Sequence, residues 1–239
     1  MDLVPVIGAA IVAVGAALLL KRRRQHAVTE VALRDLDFVA IDTETTGLDP
    51  RRDAIVALAA VPFAAGQPCP EQGYTSLVNP GRPIPLTAQA IHGIADADVG
   101  GAPSLAAALP PFFAVCRDRV LVGHSIAFDR ALINRAAGDA GLAPLIETGL
   151  DIGALAHEIF PSWWDLSLDG LCRLTEIVPI DRHTALGDAL SAGAVFLRLV
   201  PLLERRGVRT LDQAVRLQRR TATVIPVGPG AAGGGLAGP

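Results

Sequence analysis

Two acidic residues, Asp42 and Glu44, stand two apart in Ile41-Asp42-Thr43-Glu44-Thr45-Thr46-Gly47, directly after the apolar run Phe38-Val39-Ala40-Ile41. Residues two apart on a strand point to the same face. Carboxylates placed that way repel each other unless something positive lies between them. A second acid follows another apolar strand, in Val122-Gly123-His124-Ser125-Ile126-Ala127-Phe128-Asp129, where Asp129 falls in the first turn of the next helix. A third segment is His183-Thr184-Ala185-Leu186-Gly187-Asp188. On one continuous helix five residues turn His183 and Asp188 about 140° apart, so they could not share a site. With His183 in the preceding loop, Thr184 as N-cap and Asp188 in the early turns, both can face one cleft. Taken singly, these are a solvated acid pair, a helix-dipole partner and a surface histidine. Taken together they place four acidic residues and a histidine where strands end or helices begin, and four carboxylates that converged would prefer a hard, oxygen-loving cation such as Mg2+ or Mn2+ to zinc.

The order D-x-E, then F-D within G-H-x-x-x-F-D, then H-x-A-x-x-D resembles the three motifs of the DEDDh family of 3'-5' exonucleases, which includes the epsilon proofreading subunit of bacterial DNA polymerase III. The resemblance runs from about Phe38 to Leu203 and takes in Ala90-Ile91-His92-Gly93-Ile94, similar to the epsilon-type I-H-G segment. It implies that Asp42, Glu44 and Asp188 ligate one divalent cation, that Asp42 bridges to a second, and that Asp129 holds the second through water. It implies His183 as general base, His92 near the terminal nucleotide, and Thr45 and Leu48 lining the pocket for the terminal base and sugar. Two cations roughly 3.5–4 Å apart can clamp an in-line phosphoryl displacement, and an imidazole titrates near neutral pH. The implied substrate is a single-stranded or frayed 3' end of DNA or RNA, and the product a nucleoside 5'-monophosphate. There is one departure: family members commonly carry Asn where Ser125 stands, and the shorter serine implies looser support for Asp129.

The elements that must position these residues can be read from patterning. Phe38–Ile41, Ala54–Phe63, Tyr74–Val78 and Val120–Val122 read as strands, with Asn79-Pro80-Gly81 as a turn. Thr87–Ile91, Ser104–Cys116, Phe128–Ala140, Asp151–Ile159, Ser167–Thr175 and Ala185–Leu199 read as helices, with Pro161, Pro179 and Pro201 as breaks. Strands followed by alternation with helices predict an α/β sheet covered on both faces. The resemblance makes this a ribonuclease H-like mixed sheet flanked by helices.

Charge is unevenly distributed. The net charge of -3 conceals +3 over residues 1–24, 22 acidic against 11 basic residues over 25–204, and six arginines against Asp212 over 205–220. An acidic core is a poor non-specific partner for polyanions, because phosphate neutralisation dominates nucleic-acid affinity. Bound cations would reconcile that core with a phosphodiester substrate. Cys69, Cys116 and Cys172 are odd in number and widely spaced, which fits reduced thiols better than a disulfide framework.

Leu3 to Leu20 is an uninterrupted apolar run of 18 residues, followed at once by Lys21-Arg22-Arg23-Arg24. A helix of that length is roughly 27 Å long, enough to cross a bilayer core. Charge behind rather than before the run argues against a cleaved signal peptide and puts the rest of the chain in the cytoplasm. The expected organisation is a membrane anchor with basic flank over 1–24, a linker over 25–37, the exonuclease domain over 38–204, a basic helix over 205–225 and a disordered Gly/Pro-rich tail over 226–239. Gly8 and Gly15, one heptad apart, allow self-association of the anchor. The competing readings are a non-catalytic ribonuclease H-like module recruiting partners at the membrane, and a soluble polymerase proofreading subunit. Trp163 and Trp164 are expected to pack beside the Ser167 helix.

Overall fold

The computed structural model describes residues 31–221. The expected anchor and its glycines, the first part of the linker and the Gly/Pro-rich tail lie outside the described residues. The chain order is β1 (Phe38–Thr45), β2 (Ile55–Ala64), β3 (Gln67–Pro68), β4 (Tyr74–Leu77), α1 (Leu86–His92), α2 (Asp96–Val99), α3 (Leu105–Cys116), β5 (Val120–Gly123), α4 (Ile126–Asp139), β6 (Gly149–Asp151), α5 (Ile152–Ile159), α6 (Leu168–Thr175), α7 (Ala185–Arg205) and α8 (Leu211–Thr221).

The sheet runs β3-β2-β1-β5-β6, with β4 also pairing β2. β1 is antiparallel to β2 but parallel to β5, and β5 is parallel to β6, so the sheet is mixed. Alternate residues of β1 enter two different cores. Phe38 and Ala40 join the cluster under α5, α6, α7 and α8, whereas Val39 and Ile41 join the one under α3 and α4. Both faces are covered, which is why β1 and β2 read as continuous apolar runs.

α7 is the helix that matters most for the site. It lies across β1 and β2, where Phe38 stacks on Phe63 with ring centroids 4.8 Å apart and meets Phe196 edge-on at 5.0 Å. Gly193 makes this approach possible: a Cβ there would lie 2.3 Å from the Phe63 ring. Among the described residues α7 is also the helix long and apolar enough to cross a membrane, but it is largely buried inside the domain and serves as its central core helix.

The structure departs from the sequence reading at several points. α7 continues through Pro201 to Arg205, because Val200 and Leu203 are drawn into the core and outweigh a helix-interior proline's cost of roughly 3 kcal/mol. β6, only three residues long, is too short to show a period of two, and it ends at Asp151, the N-cap of α5. Residues 31–36, expected as linker, pack on the domain instead. Leu33 and Leu36 are buried, the Leu33 N–H donates to the Arg209 carbonyl, and the Leu211 N–H donates to that of Val31. The basic helix α8 docks through Leu211 and Ala214, so its arginines face outward. Trp164 is 88% exposed rather than packed, while Trp163 is held by donating Nε1–H to the Asp165 carbonyl.

Gly193→Ala should therefore overpack the α7–sheet contact and cost about 1–3 kcal/mol. The check is a fall in the urea midpoint at unchanged slope.

Candidate active site

β1 continues without interruption through the D-x-E, so Asp42 and Glu44 are strand residues on the α7 face, paired with Ala59 and Ala57 of β2. α7 brings Asp188 over the same edge, and ligand oxygens of Asp42, Glu44 and Asp188 lie within 4.8 Å of one another. The C-terminal ends of the parallel strands β1, β5 and β6 meet here, where α/β sheets gather their ligands.

Asp129 reaches the same edge from the first turn of α4, buried at 4% exposure. Its Oδ1 accepts a hydrogen bond from Thr43 Oγ1 at 2.7 Å. It stands beside the three-oxygen cluster rather than within it, close enough for its charge to act on Asp42.

The loop before α7 has the predicted form. Thr184 caps the helix, its side chain accepting from the Gly187 N–H, and the His183 N–H donates to Asp188 Oδ1 at 3.3 Å. His183 adopts φ 64°, a left-handed conformation that histidine enters more readily than most residues. Its side chain is exposed at the rim. Gly187 lets this loop sit on the helix, since a Cβ there would lie 2.3 Å from the Ile180 and Asp181 carbonyls. Ser191 Oγ accepts from the Ile180 N–H and pins the loop from the next turn.

The residues expected at the substrate lie as follows. The Thr45 hydroxyl donates to the Gly47 carbonyl, and Leu48 is 51% exposed in the loop beyond it. His92 is buried at the end of α1, with Nδ1 accepting from the Ile94 N–H and a buried Nε2 that lacks a well-formed hydrogen bond. Desolvation lowers its pKa, opposed by the Thr45 backbone beside it.

Three further residues were not assigned a role from sequence. Arg182 ion-pairs with Asp188 and makes two contacts to Asp169. Asp151 adds a negative charge near Asp129. His124 donates Nε2–H to the Leu166 carbonyl at 2.7 Å, tying the β5–α4 turn to the loop before α6. Only tertiary proximity distinguishes these from other surface and capping residues.

Electrostatically, Asp42, Glu44 and Asp129 are too close to other acids and too dry to stay charged without a partner. Burial pushes Glu44 up to about 7, with the Asp188 charge adding to it. Burial likewise pushes Asp129 up to about 7, against the Thr43 hydrogen bond that lowers it. Asp42 is raised well above the usual carboxylate range by burial and by Asp129, Asp188 and Glu44. Oxygen-only ligands and uncompensated negative charge fit a hard divalent cation.

A family model described as exonuclease, of the RNase T type, matches residues 39–196. The chain belongs to the exonuclease family. This exonuclease domain is 40% identical over 208 residues to a DNA polymerase III subunit epsilon-like protein of Rhodobacter capsulatus, covering 84% of this chain and 29% of that protein. It is 32% identical over 188 residues to the PolC-type DNA polymerase III of Thermotoga maritima, covering 77% of this chain and 13% of the polymerase. The chain thus spans less than a third of the length of these two relatives. Among solved structures, exonuclease X in complex with 5' overhanging duplex DNA superposes with a TM-score of 0.60 at 26% identity, over 76% of this chain and 99% of that one. Escherichia coli exonuclease I bound to a dT13 oligonucleotide shares the fold, with a TM-score of 0.62 at 16% identity, over 72% of this chain and 42% of that one.

Within the exonuclease domain, Ser125 is the departure with a structural reading. It is the N-cap of α4 at φ 54°, ψ 35°, and its side chain makes no capping bond. Asparagine is several-fold enriched over serine-like residues in that left-handed region, an advantage of roughly 0.5–1 kcal/mol. Ser125→Asn should raise the melting temperature by about 1–3 °C, measured by calorimetry.

The raised carboxylates also determine the sign of a pH effect. Their folded pKa values exceed the unfolded ones, so the folded state binds more protons between about pH 4 and about pH 7. Their contribution is complete below the unfolded values and is lost as pH rises through the folded ones. His92, lowered by burial, acts oppositely but is one group against three. In chelator the melting temperature should fall from pH 5 to pH 8, and millimolar Mg2+ should recover more at pH 8 than at pH 5. A melting temperature that climbs across that range in chelator would contradict the assigned electrostatics.

Proposed function

We propose that this chain is a metal-dependent 3'-5' exonuclease releasing nucleoside 5'-monophosphates from single-stranded or frayed 3' ends of DNA or RNA. The observation that carries the reading is the convergence of Asp42, Glu44 and Asp188 oxygens within 4.8 Å, with Asp129 buried alongside. Asp42, Glu44 and Asp188 would hold one Mg2+ or Mn2+, and Asp42 with Asp129 a second. Such cations supply charge stabilisation for an in-line displacement at phosphorus. His183 is the general base: it takes a proton from the attacking water, and its backbone bond to Asp188 ties its position to the acidic cluster. Thr45 and the exposed Leu48 line the pocket for the terminal base and sugar, with the buried His92 near the terminal nucleotide.

We also propose that residues 3–20 anchor the domain to a membrane, with the domain on the cytoplasmic side. The support is the apolar run with its basic flank. It is joined by the position of residues 31–33, which emerge against Arg209–Leu211 beside the outward-facing Arg205 and Arg206. Basic side chains at that point of entry suit an anionic leaflet. Membrane and cytosolic fractions of cells expressing the full chain distinguish this from a soluble proofreading subunit.

The activity is tested by digesting matched 3'-labelled and 5'-labelled DNA and RNA oligonucleotides. Loss of the 3' label as mononucleotide, only with Mg2+ or Mn2+, is expected. Asp42→Asn should abolish measurable turnover, and His183→Ala should slow it about 10²–10⁴-fold, both with unchanged circular dichroism. Digestion that persists in EDTA, or that starts at the 5' end, would sink the proposal. A folded protein that binds Mn2+ without cleaving either substrate would favour the non-catalytic module.

A further inference from the structure

Arg182 occupies an unusual place for a guanidinium. Its side chain is only 20% exposed and stands among the carboxylates at the mouth of the site. Nε donates to Asp169 Oδ1 at 2.6 Å and Nη2 to Asp169 Oδ2 at 3.2 Å, a fork-to-fork contact that fixes the plane of the group. That leaves Nη1 aimed at Asp188, with which it forms an ion pair through Oδ1. Nη1 is buried at this contact, where Asp188 acts on the guanidinium both as a hydrogen-bond partner and as a charge. The same oxygen accepts the His183 N–H. The charge of Arg182 also acts on Asp42 and Glu44, in each case against the effect of the neighbouring acids.

A fixed positive charge on the ligands of a cation site has a direct consequence. It shares the carboxylate charge on which an incoming cation depends, and it repels that cation. Its anchor, Asp169 on α6, is outside the three-oxygen cluster.

We propose that Arg182 is a positioning residue that sets the divalent-cation affinity of the site. Aimed by Asp169, it neutralises part of the Asp42–Glu44–Asp188 charge. It thereby stabilises the packed cluster and holds cation affinity below what the carboxylates alone would give. The inference rests on these carboxylates being the cation ligands proposed above.

The test is Mn2+ titration by calorimetry at pH 8, with thermal unfolding in parallel, on the full chain. Arg182→Gln should bind Mn2+ on the order of tenfold more tightly, the effect of removing one charge a few ångströms from a divalent ion in water-like screening. It should melt lower than wild type in chelator and regain most of the difference in excess Mn2+, since the cation supplies the lost charge. Arg182→Lys keeps the charge and should bind within two- to threefold of wild type. A variant that folds only with Mn2+ is the same result in stronger form. One that stays unfolded in excess Mn2+ overturns the proposal, as does Arg182→Gln binding Mn2+ equally or more weakly. Wild type that binds no Mn2+ overturns the cation-site reading itself.

Discussion

The constraint on which the rest of this structure depends is the mutual repulsion of buried carboxylates. Asp42, Glu44, Asp129 and Asp188 converge where water is scarce, and burial, joined by the neighbouring acids, drives the pKa values of Asp42, Glu44 and Asp129 upward. Such an arrangement survives only if surrounding elements over-determine it. Thr43 donates to Asp129 and Arg182 faces Asp188. The strand beneath them is paired on both sides along its first half and to β2 throughout.

The fold meets this constraint by bringing rigid elements close. Two of the acids ride on a central strand, one on the first turn of α4 and one on the first turns of α7. Helix N-termini suit negative charge, so Asp129 and Asp188 are placed where backbone N–H groups offset part of the burial cost. The close approach of α7 at Gly193 and of its preceding loop at Gly187 takes Asp188 over the strand edge. The aromatic contacts of Phe38, Phe63 and Phe196 then hold the helix there. The stability of the core and the geometry of the site are in this sense one problem.

The relatives include much longer proteins, in which a segment like this one is a minor part. Here the packed unit begins by residue 31 and includes the basic helix, because Leu33 is buried beside Arg209 and Leu211 closes the core. The hydrogen bonds that join residues 31–33 to 209–211 tie the first described residues to the start of α8. Chain leading into residue 31 therefore meets the domain beside the start of α8.

Much of this was legible in the sequence because it rests on local rules. Apolar runs ending in acids, Thr184 before a helix, and the spacing of His183 and Asp188 each have a short-range physical meaning, and they predicted the strands, the cap and the loop-to-helix geometry. The three-residue β6, the passage of α7 through Pro201 and the exposure of Trp164 were not legible, because each depends on what packs against it. Arg182 is the clearest case. In the chain it is one arginine beside a histidine; in the fold it is a cation held by Asp169 against Asp188. The sequence by itself determined which groups could do chemistry and roughly where each element begins. Only the tertiary structure decided how close those groups come and which charges answer them, since Coulombic and desolvation energies depend on distance and burial that no spacing along a chain specifies.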